Sequence, residues 1–230
     1  MRARGVVFDL DGTLLDNMAL HAEAFGIFVK RHELAEFGDD MRARLDGKRN
    51  RDIFPVLFGR ALAEEELRRF SAEKEGLYRE LSRGRLVALA GLDRLLEHLH
   101  ARRIPVAIAT SAPPENVRHT LVELGLDTRL DRVVRADEVP RGKPHPDVFL
   151  AAARLLGVPP AECLAFEDAP SGVAAAKAAG MTCVGLTTSF DASALASAGA
   201  RPDFTVADFD GFLAGPGAWL REPQAGSSSA

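Results

Sequence analysis

Cysteine is almost absent from the 230 residues: Cys163 and Cys183 are the only two. Each sits in an apolar run, with no CxxC and no Cys/His cluster, so a disulfide framework and a thiolate metal site are both excluded and two buried thiols are expected. Aromatic residues make up 7% of the chain, with one Trp and one Tyr. A basic excess is missing too. The formal charge of −4 gives no general attraction to nucleic acid or to anionic lipid, and neither partner is expected. No window approaches the 18 or so uninterrupted apolar residues of a membrane span, and Met1 to Gly5 run straight into a strand-like segment without the apolar region of a signal peptide. A cytoplasmic protein without a membrane partner is the expectation. Internal repeats are also lacking.

What is there is 47% hydrophobic and 27% charged residues, enough for a proper core in one large domain or in a domain carrying a smaller one. From Val87 onward, short β-prone runs alternate with helical segments, the pattern of βαβ units in a parallel sheet. Strands are expected at Val6–Phe8, Val106–Ala109, Val133–Arg135, Leu164–Phe166, Cys183–Leu186 and Phe204–Val206. Helices are expected at Gly91–Arg103, Pro114–Leu124, Pro146–Leu156, Ser171–Ala179 and Ala192–Ala198, with Gly125, Gly157, Gly180 and Gly199 as stops. Residues 17–85 differ: Leu20, Phe25, Phe28 and Val29, then Leu67, Phe70, Leu77 and Leu81, recur at helical spacing with no convincing strand. This predicts an all-helical insertion at 17–85 in an α/β domain formed by 1–16 and 86–230, whose polar tail, 222–230, is expected to be disordered.

Chemistry concentrates at predicted strand ends. Val6-Val7-Phe8 runs into Asp9 and Asp11, two carboxylates that strand periodicity turns to one side. Asp11-Gly12 reads equally well as a hairpin turn when taken alone. Three more strand ends carry polar groups: Thr110 and Ser111 after VAIA, Lys143 in RGKPHP, and Glu167 and Asp168 after CLAF. Ligands of open α/β sheets bind beyond those ends, and carboxylates joined by a lysine and hydroxyls point to Mg²⁺ with a phosphate. Each group also has an ordinary reading. Lys143 is then a solvated loop charge, Thr110 and Ser111 cap the next helix, and Glu167 and Asp168 favour a helix N-terminus. Phosphate-monoester hydrolysis needs up to about 10²¹-fold acceleration, while a positioned acid or base supplies about 10²–10⁴. A nucleophile, a metal, a charge clamp and an acid/base must therefore work together.

The ordered set FDLDGT, ATS, GKPHPD and FEDAPSG resembles the haloacid dehalogenase superfamily, within it the β-phosphoglucomutase-like and sugar-phosphate phosphatase subfamily, from about Arg4 to about Asp208. The resemblance implies a Rossmann-like core, a four-helix cap between the first two motifs and Mg²⁺. Asp9 is then the nucleophile that becomes an aspartyl-phosphate, and Asp11 the acid/base. The implied metal shell is Asp9, the Asp11 carbonyl and Asp168, with Glu167 directly or through water; Thr110, Lys143, Ser111 and Ala112 hold the phosphoryl oxygens. Asp11 argues against carbon–halogen chemistry, because the dehalogenases lack that second aspartate.

Cap residues choose the substrate in such proteins. His21 falls where β-phosphoglucomutases carry a histidine, and Lys74 at a second cap position of theirs; the position of the arginine that grips their second phosphate is Asn50, flanked by Arg49 and Arg51. Residues 42–60 hold six Lys or Arg and two Asp, net +4, which invites an anionic substrate, although a solvated helix face explains the stretch as well. The expectation is a monomeric phosphatase of a small phosphorylated metabolite, a sugar phosphate, with a β-phosphoglucomutase as the rival.

Overall fold

Six short apolar runs pair into one parallel sheet in the computed structural model, which describes residues 3–35, 38, 41, 45, 47–197 and 199–220. The tail expected to be disordered lies outside the described residues. The strands are β1 (Gly5–Phe8), β2 (Val106–Thr110), β3 (Val133–Arg135), β4 (Cys163–Glu167), β5 (Thr182–Leu186) and β6 (Phe204–Val206). Their order is β3-β2-β1-β4-β5-β6, that of a Rossmann-like fold. Both central strands, β1 and β4, are buried along their whole length, as parallel strands covered on both faces must be. Val6 and Phe8 join one apolar cluster with Leu95, Phe166 and Phe209, while Val7 faces the other with Phe149, Ala152 and Val173. This alternation is the two-residue period of a strand.

Helices α1 (Met18–Arg31), α2 (Asn50–Leu57) and α3 (Glu64–Ser82) come between β1 and β2. The later ones are α4 (Leu92–Ala101), α5 (Pro114–Glu123), α6 (Asp147–Leu156), α7 (Pro170–Ala178), α8 (Ala192–Leu195) and α9 (Phe209–Ala214). Met41 and Leu45 are helical as well. The cap helices enclose their own apolar cluster, in which Phe28 is fully buried among Phe54, Phe58 and Phe70. Leu20, Ala24 and Phe28 give α1 its i, i+4, i+8 buried stripe against α3. Where the chain leaves and re-enters the sheet region, Leu89 N–H donates to the Leu14 carbonyl at 2.8 Å, and Leu15 bridges Ala88. The two crossings therefore lie side by side.

Some local expectations need correction. The helix expected to reach Ala198 stops at Leu195, and Gly91 is not helical but stands in left-handed conformation (φ 82°) before α4. Helix α9 was not anticipated. The hairpin reading of Asp11-Gly12 fails, because β1 pairs only with β2 and β4, both parallel.

Candidate active site

β1 sits where the sheet order reverses, with β2 on one side and β4 on the other, so the carboxyl ends of these strands open a crevice at that point. Asp9 follows β1, Thr110 ends β2, and Glu167 ends β4 with Asp168 next to it. Asp9, Asp11, Thr110, Ser111, Ala112 and Asp168 line one cavity of about 70 Å³ with the cap residues His21, Asn50 and Lys74.

Lys143 lies buried beneath the cavity, its Nζ 2.5 Å from both Asp9 Oδ1 and Glu167 Oε1. The reading of Lys143 as a solvated loop charge is thereby excluded. Burial alone would pull the lysine down, but Asp9 and Glu167 outweigh it and hold the ammonium protonated above its ordinary value. Burial pushes Asp9 up to about 7 against the pull of Lys143, with Glu167 adding to the rise. Asp168 is raised by burial, Glu167 and Asp9, and it accepts from Thr13 Oγ1 at 3.0 Å and from Ser189 Oγ. Glu167 Oε2 accepts from the backbone N–H groups of Asp168 and Ala169 at 3.0 and 3.2 Å, so its ordinary role before α7 is present alongside the lysine contact.

Carboxylate oxygens of Asp9, Glu167 and Asp168 lie within 4.8 Å of one another, all buried. Three carboxylates against one ammonium leave an excess of two negative charges, and the ligand atoms are all hard oxygens. That fits a divalent cation of the Mg²⁺ type.

Asp11 is treated differently. Burial would raise it, but His21 and the Asn17 amide prevail and hold it below the usual carboxylate range. Asn17 Nδ2 donates to Asp11 Oδ1 at 2.7 Å, Asn17 Oδ1 accepts from Gly12 N–H at 2.9 Å, and His21 Nε2 stands 3.5 Å from Asp11 Oδ1. His21 Nδ1 faces Lys74 Nζ at 3.0 Å; since the ammonium can only donate, the proton of a neutral His21 is on Nε2, toward Asp11. Gly12 has φ 77°, and a Cβ there would overlap the Asp168 carboxylate. Only glycine lets the turn after Asp11 pass so close to the acidic cluster.

Thr110 and Ser111 do not cap α5, whose N-cap is Pro113. Thr110 Oγ1 instead accepts from Ala112 N–H at 3.0 Å, and Ser111 Oγ donates to the Gly47 carbonyl of the cap at 2.7 Å. Arg49 and Arg51 stand apart from the cavity. Arg49 pairs with Asp52 at 2.8 Å and Arg51 with Glu64 at 3.1 Å, and both line an outer groove of about 460 Å³. Their charges are largely matched by neighbours, which weakens the inference from the basic stretch. Asn17, Glu75, Asn116, Thr13 and Ser189 were missed from the sequence, although Asn17 and Thr13, so close to Asp11, were the ones a search of the first motif's flanks could have found.

Residues 3–180 match the haloacid dehalogenase-like hydrolase family. The chain is 34% identical over 192 residues to validoxylamine A 7'-phosphate phosphatase of Streptomyces hygroscopicus subsp. limoneus, covering 84% of this chain and 89% of that one. It is 33% identical over 194 residues to the β-phosphoglucomutase of Bacillus subtilis, covering 80% and 83%. The crystal structure of a family IA, variant 3 hydrolase from Entamoeba histolytica superimposes with a TM-score of 0.80 at 29% identity, over 91% of this chain and 94% of the other. With the parallel sheet, the helical insertion after β1 and the acidic cluster at the switch point, these likenesses establish that the chain belongs to the haloacid dehalogenase-like hydrolases.

Proposed function

We propose that the chain is a Mg²⁺-dependent phosphatase that hydrolyses a small phosphorylated metabolite, a sugar phosphate, through an aspartyl-phosphate at Asp9. One observation carries the reading: Asp9, held by a buried lysine, lines the same cavity as Asp11, a second carboxylate of opposite electrostatic bias. Two carboxylates pushed apart in pKa are the mark of divided roles.

An Asp9 oxygen attacks phosphorus, the bond to the leaving oxygen breaks, and Asp11 gives that oxygen its proton. Water then attacks the phosphoryl-aspartate as Asp11 takes a proton from it, and the phosphorus–Asp9 bond breaks to release inorganic phosphate. His21 and Asn17 set the resting Asp11 as the carboxylate that the second step needs. An incoming phosphate dianion beside Asp11 raises its pKa and favours the protonated form that the first step needs. Lys143 neutralises phosphoryl charge while fixing Asp9, and the Thr110 hydroxyl with the backbone of Ser111 and Ala112 orients the phosphoryl oxygens. Mg²⁺, held by Asp9, Asp168, the Asp11 carbonyl and Glu167 directly or through water, would supply electrostatic stabilisation of the phosphoryl oxygens.

The likeness to the Bacillus subtilis mutase favours one rival: a phosphoglucomutase performs the same first transfer but hands the phosphoryl group to a sugar hydroxyl. Phosphorus NMR of the protein with Mg²⁺ and a panel of hexose, pentose and triose phosphates decides between them. We expect inorganic phosphate from at least one member, and none with Asp9→Asn. Conversion of β-glucose 1-phosphate to glucose 6-phosphate without free phosphate, primed by the 1,6-bisphosphate, would establish the mutase instead.

A further inference from the structure

Between the cavity and the outer groove stands one carboxylate that the mechanism does not use. Glu75, on cap helix α3, is 5% exposed and lines both spaces. Its Oε1 accepts from Asn50 Nδ2 at 2.8 Å and from Lys74 Nζ at 3.1 Å; its Oε2 accepts from Asn116 Nδ2 of the core helix α5 at 2.6 Å. Burial would raise it, but Lys74, His21 and Asn50 prevail and keep it ionised. A carboxylate has about four acceptor positions, so these three bonds leave one, on Oε2. Asn50 adds a carbonyl oxygen with no partner among the described residues. The far end of the cavity thus offers acceptors, which suit hydroxyl groups.

Charge points the same way. Lys48 and Lys74 line the cavity against Asp9, Asp11, Glu75 and Asp168, and Lys74 is already paired with Glu75. One phosphoryl group at Asp9 meets Lys143 and the cation that the acidic cluster fits. Among the described residues that line the cavity, a second phosphate would meet one lysine not paired with a carboxylate, Lys48, and would have the buried Glu75 against it, in surroundings that screen poorly. The outer arginines line the groove and not the cavity: Arg49 and Arg51 hold their own carboxylates, Arg79 is held through Asn116 Oδ1 at 2.7 Å, and Arg68 stands on the groove side.

We propose that Glu75, with Asn50, selects substrates with a single phosphate and an uncharged, hydroxyl-bearing far end, and turns away bisphosphates. This deepens the phosphatase reading and rests on it. A mutase must hold a doubly phosphorylated sugar between its half-reactions, and Glu75 opposes that species.

The test is calorimetric titration of Asp9→Asn protein, with Mg²⁺, by fructose 1-phosphate and by fructose 1,6-bisphosphate, which differ only in the second phosphate. With Glu75 present the monophosphate is expected to bind at least about tenfold more tightly, and Glu75→Gln narrows that ratio by about tenfold. A bisphosphate that binds as well or better, a ratio unmoved by Glu75→Gln, or no binding of either ligand would overturn the proposal. Should Glu75→Gln fail to melt cooperatively, Asn50→Lys places a cation beside Glu75 and must narrow the ratio likewise; an unmoved ratio there overturns it too. Binding is read without turnover, so a preserved ratio in a protein whose native form releases no phosphate would refute the phosphatase reading alone.

Discussion

At the scale of single residues, the site works by placing similar carboxylates in dissimilar surroundings. Asp11 is favoured as an anion by one histidine and one amide, and Asp9 is disfavoured by burial and by Glu167. Asp11→Asn keeps the size of the side chain but, on the mechanism we propose, removes proton transfer in both steps, so kcat should fall by about 10²–10⁴. Single-turnover kinetics should show both phosphorylation and hydrolysis slowed; a change confined to Mg²⁺ affinity would rule out the acid/base role. The acidic cluster sets a second expectation, whose sign follows from its pKa values. Asp9 is raised from 3.8 to about 7 in the folded chain, so between those values the metal-free fold holds a proton that the unfolded chain releases, and this contribution to stability declines as pH rises. Metal binding needs the deprotonated form, so stabilisation by Mg²⁺ grows over the same window. The rise in Tm on exchanging chelator for Mg²⁺ should be larger at about pH 8 than at about pH 5.5. Equal increments at both would mean that the cluster does not bind the ion.

At the scale of elements, stability of the cap rests on a small aromatic group. Phe28 is fully buried, with ring centroids 5.2 Å from Phe54 and 5.9 Å from Phe70, and removing it leaves a cavity among the cap helices. Phe28→Ala should cost about 3–5 kcal/mol. That corresponds to a Tm lower by about 6–20 °C for a chain of this size. A fall of under about 1 kcal/mol would show that the aromatic group does not hold the cap together. The elements differ in how openly the sequence declares them. The six strands were each legible to within about a residue at either end: β1, β2, β4 and β5 are mostly buried apolar runs without polar alternation inside them, and the short edge strands β3 and β6 keep two apolar residues each beside Arg135 and Thr205. Helix α9 was not, since Phe209–Ala214 is under two turns and carries Gly211 at its centre; its evidence is the packing of Phe209 and Phe212 on Phe166. The site divides in the same way. Asp9, Thr110, Glu167 and Asp168 announce themselves at strand ends, where the parallel fold leaves few other places for polar groups to converge; Lys143, also expected at a strand end, stands instead in the loop between β3 and α6, well beyond Arg135. Glu75, Asn116 and Ser189 do not, because each matters through a contact made only in space. Glu75 and Asn116 are 41 residues apart, and Ser189 and Asp168 are 21 apart.

At the scale of the whole molecule, the three apolar clusters are internally packed, while the seam between cap and core also carries discrete polar contacts. Ser111 Oγ meets the Gly47 carbonyl, Ser82 Oγ stands 2.8 Å from His119 Nε2, and Asn116 joins Glu75 to Arg79. Hydrogen bonds of this kind contribute about 0.5–1.5 kcal/mol each net, more where a charge takes part, so the seam can open at far lower cost than the sheet. The insertion leaves and rejoins the sheet region through paired crossings near Leu15 and Ala88. A cavity of about 70 Å³ is smaller than the roughly 300–1,000 Å³ of an ordinary small-molecule site, so the substrate we propose would have to enter while the seam is open. Asn116→Ala removes a side chain that binds both Glu75 and Arg79, taking from each its Asn116 contact across the seam. In deuterium exchange, amides of α2 and of the facing part of α3 should then exchange faster, while those of β1 and β4 keep their protection. Mg²⁺ with orthovanadate, which fills the phosphoryl position, should slow the same cap amides in the native chain. Uniform acceleration across cap and sheet would mean that Asn116 supports the whole fold rather than the closure of the cap over the cavity.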